Sequence, residues 1–188
     1  MNILTSIEEM TKKFHPYIPK FLVTMCSSFI ILLLMDIHYG YLSQIPIRSA
    51  SGTGKMAGSM ALLVGGMACL YYVLREAYVR SKRKGAFSLV RIENSIKKSI
   101  QIFRHIHPLC GILAFLLVFS HAYILWYVAG KTAFLAIYSG LFALITLGLV
   151  TAIGLYLIHK PNDLQLRKYH RRLTGVLIVC AVLHLIVV

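Results

Sequence analysis

Acidic side chains are scarce in this sequence: six Asp and Glu stand against twenty Lys and Arg in 188 residues, a formal net charge of +14. Of the six, only Asp36 lies close to the interior of an apolar run. Proton pumps and ion-coupled transporters usually place carboxylates inside the membrane, so that class of function is disfavoured. Charge of either sign is also thin, at 14% of residues against 58% hydrophobic. No water-soluble domain of this length needs so much apolar surface, and the chain reads as an integral membrane protein. The four cysteines, Cys26, Cys69, Cys110 and Cys180, all sit in apolar runs and form no Cys-x-x-Cys. They read as small core residues rather than a disulfide, a zinc site or a thiol redox couple. The basic residues carry no nucleic-acid recognition motif and flank apolar runs, so no nucleic-acid partner is expected. Residues 1–20 lack the basic start, short apolar core and cleavage site of a signal peptide, and read as an interfacial lead-in.

What is present is a series of five apolar spans, at about residues 21–35, 56–74, 108–129, 132–158 and 173–188. The expected fold is all-α: an integral membrane bundle of five transmembrane helices in one domain, in contact with membrane lipid. The loop before the second span, with Pro46, Ser49, Ser51, Gly52 and Gly54, reads as irregular up to Lys55. Gly54-x3-Gly58 and Gly65-Gly66 read as helix-packing surfaces. The most basic segment, from Arg75 to Arg104, carries Ile92, Ile96, Ile100 and Phe103 at helical spacing. That pattern suggests an amphipathic helix lying on the membrane surface, or a docking site for a soluble partner. Pro108 suits the first turn of the third span, which puts His107 at its entrance, and Trp126 and Tyr127 anchor the far end. The fourth span, with Gly140, Gly148 and Gly154 and no internal histidine, reads as a wall. The fifth holds sixteen residues, about 24 Å of helix against a hydrocarbon core of about 30 Å. Either it borrows its basic preamble or the chain continues into a further helix or domain.

Lys and Arg number 3 before the first span, then 2, 9, 1 and 5 in the successive links. By the positive-inside rule the N-terminus, the second link and the fourth are cytoplasmic. The chain is then a multi-pass protein of the cell membrane whose third and fifth spans run in the same direction.

Two stretches stand out within those spans. His107 to His121 and His170 to His184 each open and close with histidine, thirteen residues lying between. Fourteen steps of 100° fall only about 40° short of four full turns, so both rings of a stretch face the same way, separated by roughly 21 Å. Side by side and parallel, the two helices bring the four rings into two facing pairs at two depths. Such a cage suits two haems, each iron held between one histidine from each helix. His105 is a rival to His107, but its sixteen-residue offset from His121 turns it about 160° away. His159, beside Lys160 and Pro161, reads as interfacial. Gly111 and Ala114 keep the ligand face thin enough for a porphyrin, and would equally serve helix packing. Haem propionates near His107 and His170 would find Arg104, Lys168, Arg171 and Arg172, cations that are alternatively plain topology signals. Toward the other face the candidates are Arg48, Lys55 and Lys131.

At these residues the sequence resembles the ferric reductase-like transmembrane domain, a superfamily that includes ferric reductases, NADPH oxidases and the haem subunit of a bacterial methionine sulfoxide reductase system. The resemblance lies in His-x3-Gly followed by histidine at fourteen in the third span. It also lies in Arg-x-x-His-Arg-Arg-Leu with its own histidine at fourteen in the fifth. It covers about residues 52–188, leaving 1–51 as an extra helix and loop. It implies that His107, His121, His170 and His184 are axial ligands to two b-type haems that pass electrons singly across the bilayer. The family's sixth helix has no counterpart here, nor do its flavin-binding His-Pro-Phe-Ser/Thr motif and its nicotinamide-binding glycine loop. Electrons are therefore expected from a separate flavoprotein, from membrane quinol, or from a further C-terminal region. Within the same chemistry the chain would alternatively be a quinol-linked cytochrome b subunit anchoring a dehydrogenase. Outside that chemistry it would be a haem-free membrane scaffold.

Overall fold

The computed structural model describes residues 24, 27, 30–31, 34–36, 38–40, 44–83, 90–129, 134–160 and 162–188, and shows helices and no strands among them. The sequence-expected lead-in over residues 1–20 lies outside the described residues, as does most of the first span, whose described positions are helical. After that span Gly40 takes φ 63°, and its amide donates to the Asp36 carbonyl at 2.7 Å. This left-handed turn is one that glycine adopts without strain.

Four long helices follow: α1 (Ile47–Arg83), α2 (Val90–Ala129), α3 (Phe134–His159) and α4 (Leu164–Val187). Each is long and apolar enough to cross a membrane, and at most 22% of the most apolar stretch of any of them is buried within the chain. Apolar side chains such as Leu63, Phe142, Ile145, Val179 and Leu183 point outward. That surface requires lipid, and the protein is an all-helical membrane protein. Three hydroxyls in the apolar stretches are satisfied locally: Ser120, Thr146 and Thr174 each donate to the carbonyl four residues back, at 2.8–2.9 Å, whereas the buried Thr151 hydroxyl closes no hydrogen bond.

Contacts between the helices give their order and sense. Gly54 of α1 meets Leu125 of α2, while Ala68 meets His107, so α1 and α2 are antiparallel. Gly140 of α3 meets His184 of α4, while Gly154 meets His170, so α3 and α4 are antiparallel too. Helix α2 also packs on α3, where Gly148 lies against Phe115. By contrast, the α2 and α4 backbones do not pack closely; the two helices run parallel and meet through histidine rings.

Two expected boundaries are corrected, and a third, left open by the sequence, follows one of its two readings. Helix α1 begins at Ile47, where the Pro46 carbonyl accepts from Ser49 and Ala50, so the stretch up to Lys55 is helical rather than irregular. The amphipathic segment is not a separate surface helix: it continues through Pro108 into the third span as one 40-residue helix. Helix α4 starts at Leu164, because the Asp163 carboxylate caps it by accepting from the Leu166 amide at 2.9 Å. Its 24 residues, about 36 Å, cross a bilayer, so the basic preamble belongs to the helix.

At 37 and 40 residues, about 55 and 60 Å, α1 and α2 outrun the roughly 30 Å hydrocarbon core. Their paired ends form a basic two-helix stalk clasped by Glu93. That carboxylate accepts from Tyr78 Oη at 2.8 Å and pairs with Lys97 Nζ at 2.9 Å, with Lys82 Nζ 3.9 Å away.

Candidate functional site

Parallel alignment of α2 and α4 brings all four stretch-ending histidines together in two pairs. In the first layer the rings of His107 and His170 lie 6.1 Å apart between centroids, at 86° to each other. In the second layer the rings of His121 and His184 lie 6.2 Å apart at 83°. The fourteen-residue interval on each helix separates the layers by roughly 21 Å along the axis.

Three of the four rings are fixed from behind. His107 Nδ1 lies 2.9 Å from the Ala68 carbonyl and His121 Nδ1 lies 2.8 Å from the Gly54 carbonyl, both on α1. A carbonyl can only accept, so both Nδ1 atoms carry the proton and both Nε2 atoms keep a free lone pair. His184 Nδ1 lies 3.0 Å from Ser139 Oγ on α3, and that hydroxyl donates to the Ala136 carbonyl at 3.0 Å. The hydroxyl therefore accepts from His184 Nδ1–H, which leaves this Nε2 free as well. His170 differs. Its Nδ1 is buried and closes no well-aligned hydrogen bond, though the Val150 carbonyl lies close to it, as the Ala136 carbonyl lies close to His184.

Glycines make room for the rings. A Cβ on Gly58 would stand 2.7 Å from His121 Nδ1, one on Gly140 3.0 Å from His184 Cε1, and one on Gly154 3.2 Å from His170 Cε1. The fourteen-residue interval recurs in these supports: Gly54 and Ala68 on α1 mirror His121 and His107, and Gly140 and Gly154 on α3 mirror His184 and His170. Ala114, buried on α2, lies 3.9 Å from where a Cβ on Gly65 of α1 would stand and so serves the α1–α2 packing, and Cys180 is buried on α4. Gly111, by contrast, has nothing within 4 Å of a Cβ. The Tyr71 ring lies 5.6 Å from that of His107.

No family model matches the chain, and neither does any curated protein or solved structure. The chemistry of the four rings is what the site offers. Among the described residues no group of three or more His, Cys, Asp or Glu is placed to hold a metal, so each layer offers two imidazoles alone. Structural zinc asks for four protein ligands and catalytic zinc for three. An ion whose remaining positions are filled by a macrocycle asks for only these two. Imidazole nitrogens bond first-row ions at about 2.0–2.1 Å, which sets the centroids of two rings across one ion roughly 6.3 Å apart.

The other sequence-nominated residues are placed less decisively. Arg104, Lys168, Arg171 and Arg172 are exposed at the first-layer end. Arg104 sits about 60° round α2 from His107 and Arg171 about 100° round α4 from His170, whereas Arg172 sits about 200° round, on the far side. Arg48 and Lys55 are exposed at the second-layer end, and Lys131 lies outside the described residues. His105 joins neither ring pair, and exposed His159 reaches only its own helix, 3.3 Å from the Leu155 carbonyl. Sequence reasoning missed the roles of Ser139, Gly58, Gly140 and Gly154. Their spacing was the available signal, but small residues are common wherever membrane helices pack.

Proposed function

We propose that the chain is a dihaem b-type cytochrome carrying electrons across the membrane, as the haem-bearing part of a ferric reductase-like oxidoreductase. The observation that carries this reading is the pair of facing imidazole couples on two parallel helices, fourteen residues apart on both. Two b-type haems, when bound, supply one-electron carriers at two depths. His107 with His170 and His121 with His184 would hold the two groups, and ligation by two imidazoles suits electron transfer rather than oxygen binding. The Ala68 and Gly54 carbonyls and the Ser139 hydroxyl fix ring orientation and tautomer, as partners behind a metal-bound imidazole do. Arg104 and Arg171 are the cations best placed to grip propionates by a guanidinium fork. The α2 and α4 backbones do not pack closely, and the two helices meet through the histidine rings. Outward-facing apolar side chains and lipid keep water from the rings. With no flavin or nicotinamide motif in these residues, electrons arrive from a flavoprotein partner, from quinol or from a further C-terminal region.

The reading is tested by the absorption spectrum of the purified protein in lipid nanodiscs. A red protein whose dithionite-reduced form shows split α and Soret bands is expected; a colourless protein that also fails to take up added haem contradicts it. Reoxidation separates the acceptors: impermeant Fe(III) chelate at the face opposite the stalk for a ferric reductase, or a quinone analogue for a quinol-linked subunit.

A further inference from the structure

The two layers are supported unequally. In the second, both imidazoles donate through Nδ1–H, His121 to the Gly54 carbonyl and His184 to the Ser139 hydroxyl. In the first His107 does so, to Ala68, while His170 Nδ1 closes no well-aligned hydrogen bond and has only the Val150 carbonyl near it, as His184 has the Ala136 carbonyl in addition to Ser139. Donation from Nδ1 makes the other ring nitrogen a stronger base and a better donor to a metal. A stronger donor favours the more positive oxidation state and so lowers the reduction potential. Fixed charge acts in the same direction. Arg104, Arg167 and Arg171 stand at the first-layer end, where a cation disfavours the more positive iron. At the second-layer end exposed Arg48 and Lys55 are offset by Asp36, whose carboxylate accepts from Tyr123 Oη at 2.7 Å, two residues beyond His121.

We infer that the protein holds its two haems at unequal potentials, the His107–His170 site higher, and that Ser139 is the positioning residue that keeps the His121–His184 site low. The inference rests on the dihaem reading and adds to it an order of potentials and a residue that sets it. At equilibrium an electron then resides preferentially beside the basic stalk, and delivery to the opposite face is uphill within the protein and needs an oxidising acceptor. Ser139 touches neither substrate nor iron; it acts through His184.

The test is a spectroelectrochemical titration of the full chain in nanodiscs, for the wild type, Ser139→Ala and Ser139→Thr, with electron paramagnetic resonance of the oxidised forms. Two one-electron waves are expected in the wild type. Ser139→Ala should raise the lower wave alone, by several-fold to tenfold in the oxidised-to-reduced ratio at fixed poise, the upper end being about 59 mV for one electron. It should also change one of the two low-spin signals, and Ser139→Thr, which keeps the hydroxyl, should restore both. His170→Ala and His121→Ala, each retaining one site, assign the waves: the protein left with His121 and His184 should titrate lower. Coincident wild-type waves, the reverse assignment, or a Ser139→Ala shift that is absent or common to both waves would overturn the inference while leaving the dihaem reading standing. A protein without haem would sink both.

Discussion

Four histidines meet in two ring pairs with small groups behind them. Their ring pairing was legible in the sequence, because a fourteen-residue interval closes nearly four helical turns and both stretches share it. The seats were not legible. A glycine facing an imidazole and a glycine facing lipid look alike in sequence, as Gly58 and Gly66 show: a Cβ on the first meets His121, and on the second meets nothing within 4 Å. That contrast gives a paired prediction. His121 is held to the Gly54 carbonyl at 2.8 Å and cannot swing aside freely, so Gly58→Val overpacks the second layer, at about 1–3 kcal/mol. Haem content should fall toward half in Gly58→Val and stay at the wild-type level in Gly66→Ala, measured per polypeptide on purified protein. Equal content in the two variants would show that the seat is not needed.

At the scale of the helix, the number and order of the later spans followed from hydropathy, but their ends did not. Hydropathy marks the part of a helix that lies in lipid, whereas the helix itself runs on as far as backbone hydrogen bonds and caps carry it. Hence α4 starts at the Asp163 cap, nine residues before the apolar run, and α1 and α2 continue into the stalk. Pro108 misled for a definite reason: its missing amide is harmless in a first turn, yet here it stands in mid-helix. The Arg104 carbonyl thereby loses its donor four residues on, immediately beside His107. Restoring that bond with Pro108→Ala should strengthen α2, by up to about 3 kcal/mol on helix propensity. The same change should shift the spectrum and resonance signal of the first layer only. Low-temperature spectra of the variant check this, and a change in the second layer instead would place His107 elsewhere.

For the whole molecule, the count of basic residues per link gave an orientation that the four helices accommodate: the stalk with its cations on the cytoplasmic side, α2 and α4 running from it to the opposite face. Parallel ligand helices follow from the same alternation, and the fold has them. Exposed Asn94 on the stalk tests the orientation. An Asn94→Cys protein should react with an impermeant maleimide in inverted membrane vesicles and not in right-side-out ones; the opposite pattern would reverse the topology. On the dihaem reading, two facing imidazole couples in one bundle set a stoichiometry, and haem content per polypeptide measures it most directly. Two haems are expected in the wild type, and one each in His121→Ala and His170→Ala, with the protein still in the membrane. Full haem content in both variants, or none in the wild type, would contradict the assignment.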